Sequence, residues 1–189
     1  MFQVRIHGRG GQGVVTTAEL LSVAAFADGR HAQAFPSFGA ERTGAPVEAY
    51  CRIADYPIQL RERVRNPDAV ILQDAAMRRH LDVLAGLAPG GWLVVNSVRC
   101  WDALGLSRYG DRLSFERTVI VPATNLAVEL IGRPLPGTAL LGAFAAATGS
   151  VSLEGLVSAI RRRFPPHLAE SNVAAALAAY HRVGEPAHA

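Results

Sequence analysis

Two short segments hold the residues with chemistry to offer. Gly8-Arg9-Gly10-Gly11-Gln12-Gly13 spaces glycines as Gly-x-Gly-x-x-Gly between an alternating segment, Phe2 to His7, and a helix-periodic one, Val14 to Phe26. Glycines there permit a tight turn and close backbone approach, and the helix start behind them offers N–H groups and a positive dipole end to an anion. A dinucleotide site also wants an acidic residue at the end of the next strand to hold a ribose hydroxyl pair. That strand reads His31-Ala-Gln-Ala-Phe-Pro36, and Asp28 falls ahead of it. An ordinary NAD-dependent dehydrogenase is therefore disfavoured, phosphate binding stays open, and glycines that merely let helix and strand pack closely would give the same pattern. The second segment, Phe35 to Pro46, is rich in glycine, proline, serine and threonine and carries the adjacent charges Glu41 and Arg42. A long loop at a strand end of an α/β sheet suits ligand binding or subunit contact, with a surface ion pair on a turn as the bland alternative.

The rest of the catalytic inventory is sparse. The sequence has no nucleophile elbow and no Walker lysine, and Glu41 alone stands out as a carboxylate in a predicted site, so no catalytic residue is assigned. All 19 basic residues are arginine, which removes Schiff-base lysine chemistry and presents any phosphate or carboxylate with planar guanidinium forks. Arg61/Arg63/Arg65 and Arg161/Arg162/Arg163 lack interleaved aromatics and read as solvated or subunit-facing helix faces, not a nucleic-acid surface. Cys51 and Cys100 form no CxxC pair, which excludes a zinc ribbon or a self-contained iron–sulfur cluster; their apolar neighbours predict two buried thiols. The histidines show no ligand spacing, and no metal is expected.

The elements that must position these residues follow from periodicity. Strands are expected at Phe2 to His7, His31 to Phe35, Val47 to Ile53, within Asp68 to Asp74, at Trp92 to Asn96 and at Thr118 to Val121. Helices are expected at Val14 to Phe26, Ala75 to Leu87, Asn125 to Ile131, Ala139 to Thr148, Leu153 to Arg162 and Ser171 to Val183. The alternation implies an α/β, Rossmann-like layered fold, a largely parallel sheet flanked by helices, as a single domain over residues 1–189. The apolar run Ala139 to Ala147 is about half of a bilayer span, and no signal pattern opens the chain, so a cytoplasmic protein without membrane contact is expected.

Arg5-Ile-His-Gly-Arg-Gly-Gly-Gln-Gly-Val-Val-Thr-Thr-Ala-Glu-Leu-Leu21, followed by Gln33-Ala-Phe-Pro-Ser-Phe-Gly-Ala-Glu-Arg-Thr-Gly-Ala-Pro-Val47, resembles the gamma subunit of 2-oxoacid:acceptor oxidoreductases. The likeness extends more loosely to Pro122-Ala-Thr-Asn-Leu126 and Asn172 to Tyr180. It implies a complex that oxidatively decarboxylates a 2-oxoacid to an acyl-CoA with thiamine diphosphate and iron–sulfur clusters, both held on or shared with alpha-, beta- and delta-type partners. Electrons would pass to ferredoxin or an NAD-reducing subunit, and this chain would sit on the coenzyme A side. The resemblance carries Gly8, Arg9, Gly10, Gly11, Gln12 and Gly13 from the first motif and Glu41, Arg42 and Gly44 from the second as cofactor-binding candidates. A stand-alone nucleotide- or CoA-binding module is the alternative.

Overall fold

Short apolar stretches become buried strands in the computed structural model, which describes residues 1–37 and 44–184. In chain order β1 (Phe2–Arg9) leads through α1 (Val14–Ala27) to β2 (His31–Pro36) and β3 (Pro46–Ala54), then to β4 (Ala69–Leu72), β5 (Trp92–Asn96) and β6 (Thr118–Val121). The described strands form one sheet in the order β2-β3-β1-β4-β5-β6. β1, β4, β5 and β6 are mutually parallel, whereas β3 runs antiparallel to both β1 and β2. β2 thus points the same way as β1, as a β-α-β unit requires, but the returning β3 is wedged between them. The α/β layered reading holds, with the antiparallel pairings confined to one edge.

Register separates the sheet's two faces. Phe2↔Ile53, Val4↔Cys51 and Ile6↔Ala49 are apolar pairs, and the residues between them, Gln3↔Arg52, Arg5↔Tyr50 and His7↔Glu48, are polar. The apolar side receives α1 together with α2 (Ala123–Ile131), α3 (Gly137–Thr148), α4 (Leu153–Arg163) and α5 (Pro166–Gly184). Leu21, Leu140, Phe144, Leu156 and Ile160 join Val4, Ile6, Ile71 and Val94 in this core. α5 starts before the expected Ser171 because Pro166 takes its first turn, where a missing N–H costs nothing.

The other face departs from expectation. Val70, Leu72, Leu93 and Val95 meet Met77, Val83, Leu84, Leu104, Leu106 and Leu113 from the segments after β4 and β5. The expected helix Ala75 to Leu87 is reduced to one 3-10 turn, Ala75–Arg79. Two contacts explain this. Arg5 Nη2 donates to the carbonyls of Val83 (3.0 Å) and Ala85 (2.6 Å), which a continuous helix would have used itself. Gly86, at φ +71°, passes so close to Arg65 that a Cβ would lie 2.1 Å from its carbonyl oxygen. Arg61 to Arg65 likewise lies outside any helix, while Arg161 to Arg163 close α4, where cations suit the helix's carboxyl end. Cys51 is buried, which pushes its thiol well above the usual range, but Cys100 is exposed, because it falls in the turn region after β5 and not in a strand.

α3 and α5 touch backbone to backbone at Gly142, where a Cβ would stand 2.0 Å from the Ala176 carbonyl oxygen. Gly142→Ala must therefore push two buried helices apart, and we expect a loss of about 3 kcal/mol, read as a melting-temperature drop on the order of 10 °C. An unchanged melting temperature would show that this contact does not set the helix spacing.

Candidate functional site

β1 does not stop where its apolar alternation ends. It continues through Gly8 and Arg9, and the Gly10 N–H donates to the Ala45 carbonyl (2.9 Å) while the Gly44 N–H donates to the Gly10 carbonyl (3.1 Å). The two sequence motifs meet here. Gln12 folds back on the turn, its side-chain oxygen accepting from the Arg9 N–H (2.8 Å) and its own N–H donating to the Arg9 carbonyl (3.0 Å). The Arg9 guanidinium closes the arrangement, with Nε on the Asp74 carboxylate and Nη1 on the Gly44 carbonyl.

The glycines serve separate needs. At Gly8 a Cβ would stand 2.6 Å from Val14 Cγ2 and 3.0 Å from Gln73 Oε1, so this position answers to close packing. Gly11 and Gly13 take φ values of +93° and +73°, and the space where their Cβ atoms would point is open. The crest of the turn therefore faces a groove of about 340 Å³ bounded by Arg9, Gly10, Gly11, Val15, Thr16 and Val47. On the other side of α1's first turn, Gln12, Thr16 and Thr17 border a more apolar cleft of about 210 Å³, whose far wall includes Thr138, Arg163 and Asn172.

Below the turn, a polar layer ties the carboxyl ends of the parallel strands together. Gln73 Nε2 donates to Thr17 Oγ1 (2.7 Å), which donates to the Gly13 carbonyl (3.0 Å). Asn96 Nδ2 reaches the Gln73 carbonyl (2.8 Å) and Thr124 Oγ1 (2.7 Å), and Asn96 Oδ1 accepts from the Thr124 N–H (3.0 Å). Gln73 Oε1 is buried without a hydrogen-bond partner among the described residues.

Gly8, Arg9, Gly10, Gly11, Gln12, Gly13 and Gly44 are thus brought to one place, and Glu41 and Arg42 lie outside the described residues. The amides of Gly10 and Gln12 serve the turn, so Gly11 and Gly13 are its positions that face open space. Sequence reading missed Asp74, the partner of Arg9, and a polar cluster on the same face of β1. There Arg5 Nε donates to His7 Nε2 (3.0 Å), Glu48 Oε1 lies 3.4 Å from His7 Nδ1, and Tyr50 OH donates to Glu48 Oε2 (2.7 Å). The missed signal was the alternation Gln3, Arg5, His7, Arg9, which marks a polar sheet face. Among the described residues no group of three or more His, Cys, Asp or Glu side chains is placed to hold a metal, and no helix is long and apolar enough to cross a membrane.

The family model described as pyruvate ferredoxin/flavodoxin oxidoreductase matches residues 3–182. The chain is 49% identical over 161 residues, 85% of each chain, to the pyruvate synthase subunit PorC of Methanosarcina barkeri. It is 42% identical to the pyruvate/ketoisovalerate oxidoreductases common subunit gamma of Thermococcus kodakarensis, covering 96% of this chain and 97% of that one. Among solved structures it matches the pyruvate oxidoreductase subunit PORC of Thermotoga maritima with a TM-score of 0.81 and 35% identity, over 95% of both chains.

The buried imidazole makes the site's framework sensitive to acid. Burial, helped by the nearby Arg5 charge and opposed by Glu48, pushes His7 down from its ordinary 6.5 to about 4. An Nε2 that accepts from Arg5 must also be unprotonated. Between these two pH values the unfolded chain binds the proton that the folded chain refuses, so stability falls as pH drops from 6.5 towards 4. We expect this group to account for up to about 3 kcal/mol over that window, and His7→Gln to flatten the fall in melting temperature. Parallel pH profiles for the two proteins would assign the acid sensitivity elsewhere.

Proposed function

The chain belongs to the pyruvate ferredoxin/flavodoxin oxidoreductase family, and from that membership we propose that it is the gamma subunit of a multisubunit 2-oxoacid:acceptor oxidoreductase. The observation that carries this reading is near end-to-end similarity, on both sides of the comparison, to chains named as such subunits. Those names point to pyruvate or ketoisovalerate as the 2-oxoacid. Within the complex the reaction is oxidative decarboxylation to an acyl-CoA, with electrons leaving to ferredoxin or an NAD-reducing subunit and alpha-, beta- and delta-type chains as partners.

This chain's own residues do not fit an iron–sulfur cluster. The sequence contains two cysteines, and Cys51 is buried with its thiol held in the protonated form. The clusters are therefore assigned to partner subunits, the family resemblance implies the same for thiamine diphosphate, and no redox step runs through these residues. What the chain supplies is a shaped, rigid edge on the coenzyme A side. The groove along Gly10, Gly11 and the first turn of α1 is open, and it offers a backbone surface that an extended, phosphate-bearing chain can approach closely. Arg9, held by Asp74 and Gly44, acts as a positioning residue: its bonds fix the wall of the groove.

Gentle affinity purification of the tagged chain from its host should recover larger subunits together with iron, sulfide and thiamine diphosphate. A lone, colourless protein recovered under conditions that preserve such assemblies would refute the subunit reading. In the intact complex, Arg9→Ala releases Asp74 and Gly44 and should raise KM for coenzyme A about tenfold with little change in kcat, as expected for one charge-assisted network lost. Equal KM values for variant and wild type would detach the turn from coenzyme A.

A further inference from the structure

The side of the sheet without α-helices carries a second feature that the glycine turn does not use. Where the segments after β4 and β5 cross, Arg78, Arg79, Arg108 and Arg112 border a groove of about 480 Å³ together with His80 and Asp82. Its guanidiniums are anchored mainly by neutral carbonyl oxygens. Arg78 donates to the carbonyls of Leu104 (2.7 Å) and Ala75 (2.6 Å). Arg108 donates to the Arg78 carbonyl (2.7 Å) and lies 4.8 Å from the centre of the Tyr109 ring. Arg112 donates to the Leu84 carbonyl (2.9 Å) and approaches the same ring from 5.9 Å. A carbonyl fixes a guanidinium's direction and leaves its full charge in place. Asp82, the one carboxylate among the described residues bordering the groove, lies 3.3 Å from Arg112 at a half-exposed contact where an ion pair contributes little.

The cations consequently repel one another. After burial, the charges of Arg79, Arg108 and Arg99 are what pull Arg78 below the ordinary arginine range. Such a cluster persists where folding fixes it and an anionic partner relieves it. Apolar surface borders the groove as well: Leu81 lines it and is 40% exposed. Arginine and tyrosine beside an exposed apolar side chain is the composition of a protein interface, and a guanidinium fork matches a carboxylate in two parallel hydrogen bonds. A compact phosphate would satisfy the charges and leave Leu81 in water.

We propose that this arginine groove docks a carboxylate-bearing surface of another subunit of the complex, with Arg79 and Arg108 as its outward contacts. The proposal rests on the subunit reading above and adds which face meets the partner and by what chemistry. Its test is Arg79→Glu/Arg108→Glu in the tagged chain, with the exposed Arg182→Glu near the end of α5 as the control. At a salt concentration that wild type and control withstand, the double variant should leave the larger subunits on gel filtration, while the isolated chains melt alike. Co-elution of the double variant with those subunits at every salt concentration that holds the wild-type complex overturns the proposal. If the wild-type chain itself elutes alone, the subunit reading fails, and the groove is decided by titrating a ten-residue oligoglutamate or pyrophosphate into the isolated full chain. Salt-sensitive oligoglutamate binding that the double variant weakens at least about tenfold then supports an acidic protein partner. Binding of pyrophosphate alone, or of neither probe, overturns it.

Discussion

Arg5 and Arg52 carry charge into the sheet, Arg5 met by carbonyl oxygens and the His7 imidazole and Arg52 by carbonyl and amide oxygens, in place of a carboxylate. Arg52, 1% exposed, reaches Gln3, Gln33 and the carbonyls of Leu60 and Glu62, and its guanidinium lies 5.0 Å from the centre of the Phe35 ring. Arg5 takes the carbonyls of Val83 and Ala85. Burying a cation is costly unless its donors find acceptors, and the backbone carbonyls that accept here come from segments that have no regular structure to satisfy them. One arrangement solves both problems. The guanidiniums are satisfied, and residues 56–65 and 82–86 are fastened to a sheet face covered by short 3-10 turns and irregular chain in place of an α-helix.

That fastening explains the division of labour between the two faces. The helical side is an alanine- and leucine-rich core in which α3 is buried almost from end to end, so its contribution is shape and stability. The opposite side keeps its polar residues in a continuous line along β1: Gln3, Arg5, His7 and Arg9. Gln3, Arg5 and Arg9 each hold a different piece of irregular chain, from Asn66 and Asp68 at one end to Asp74 and Gly44 at the other, and His7 sits between Arg5 and Glu48. The glycine turn is the terminus of this line. Its geometry is inherited from a strand paired on both sides, which is why two of its amides serve the ladder and turn and only the crest at Gly11 and Gly13 stays open.

Strand positions, the first helix and the last four were legible because period 2 and period 3.6 were written plainly in apolar residues. The failures share one cause. Ala75 to Leu87 has a helical spacing of apolar residues, yet Arg5, some eighty positions away, claims its carbonyls, and no local pattern records so distant a competitor. Cys100 looked buried by its neighbours and is not, for the same reason: its segment is held by long-range contacts and not by periodicity. In the site, the glycines were visible as a motif, whereas Asp74 was not, because a carboxylate one turn after another strand becomes a partner of Arg9 only when β1 and β4 pair in parallel.

The exclusive use of arginine bears on how this fold works. A lysine at position 5 or 52 would place one compact ammonium where a planar fork now spans several carbonyls, and it would carry a larger hydration cost into the sheet. At Arg9 the same fork bridges a carboxylate from β4's end and a carbonyl from the return arm of the second motif, two groups that one ammonium could not hold at once in those directions. The guanidinium is therefore the joint by which a parallel sheet, an antiparallel edge and an irregular covering layer are made rigid together. Rigidity of that kind is what a subunit contributes to a larger assembly: a fixed edge against which other chains can be positioned.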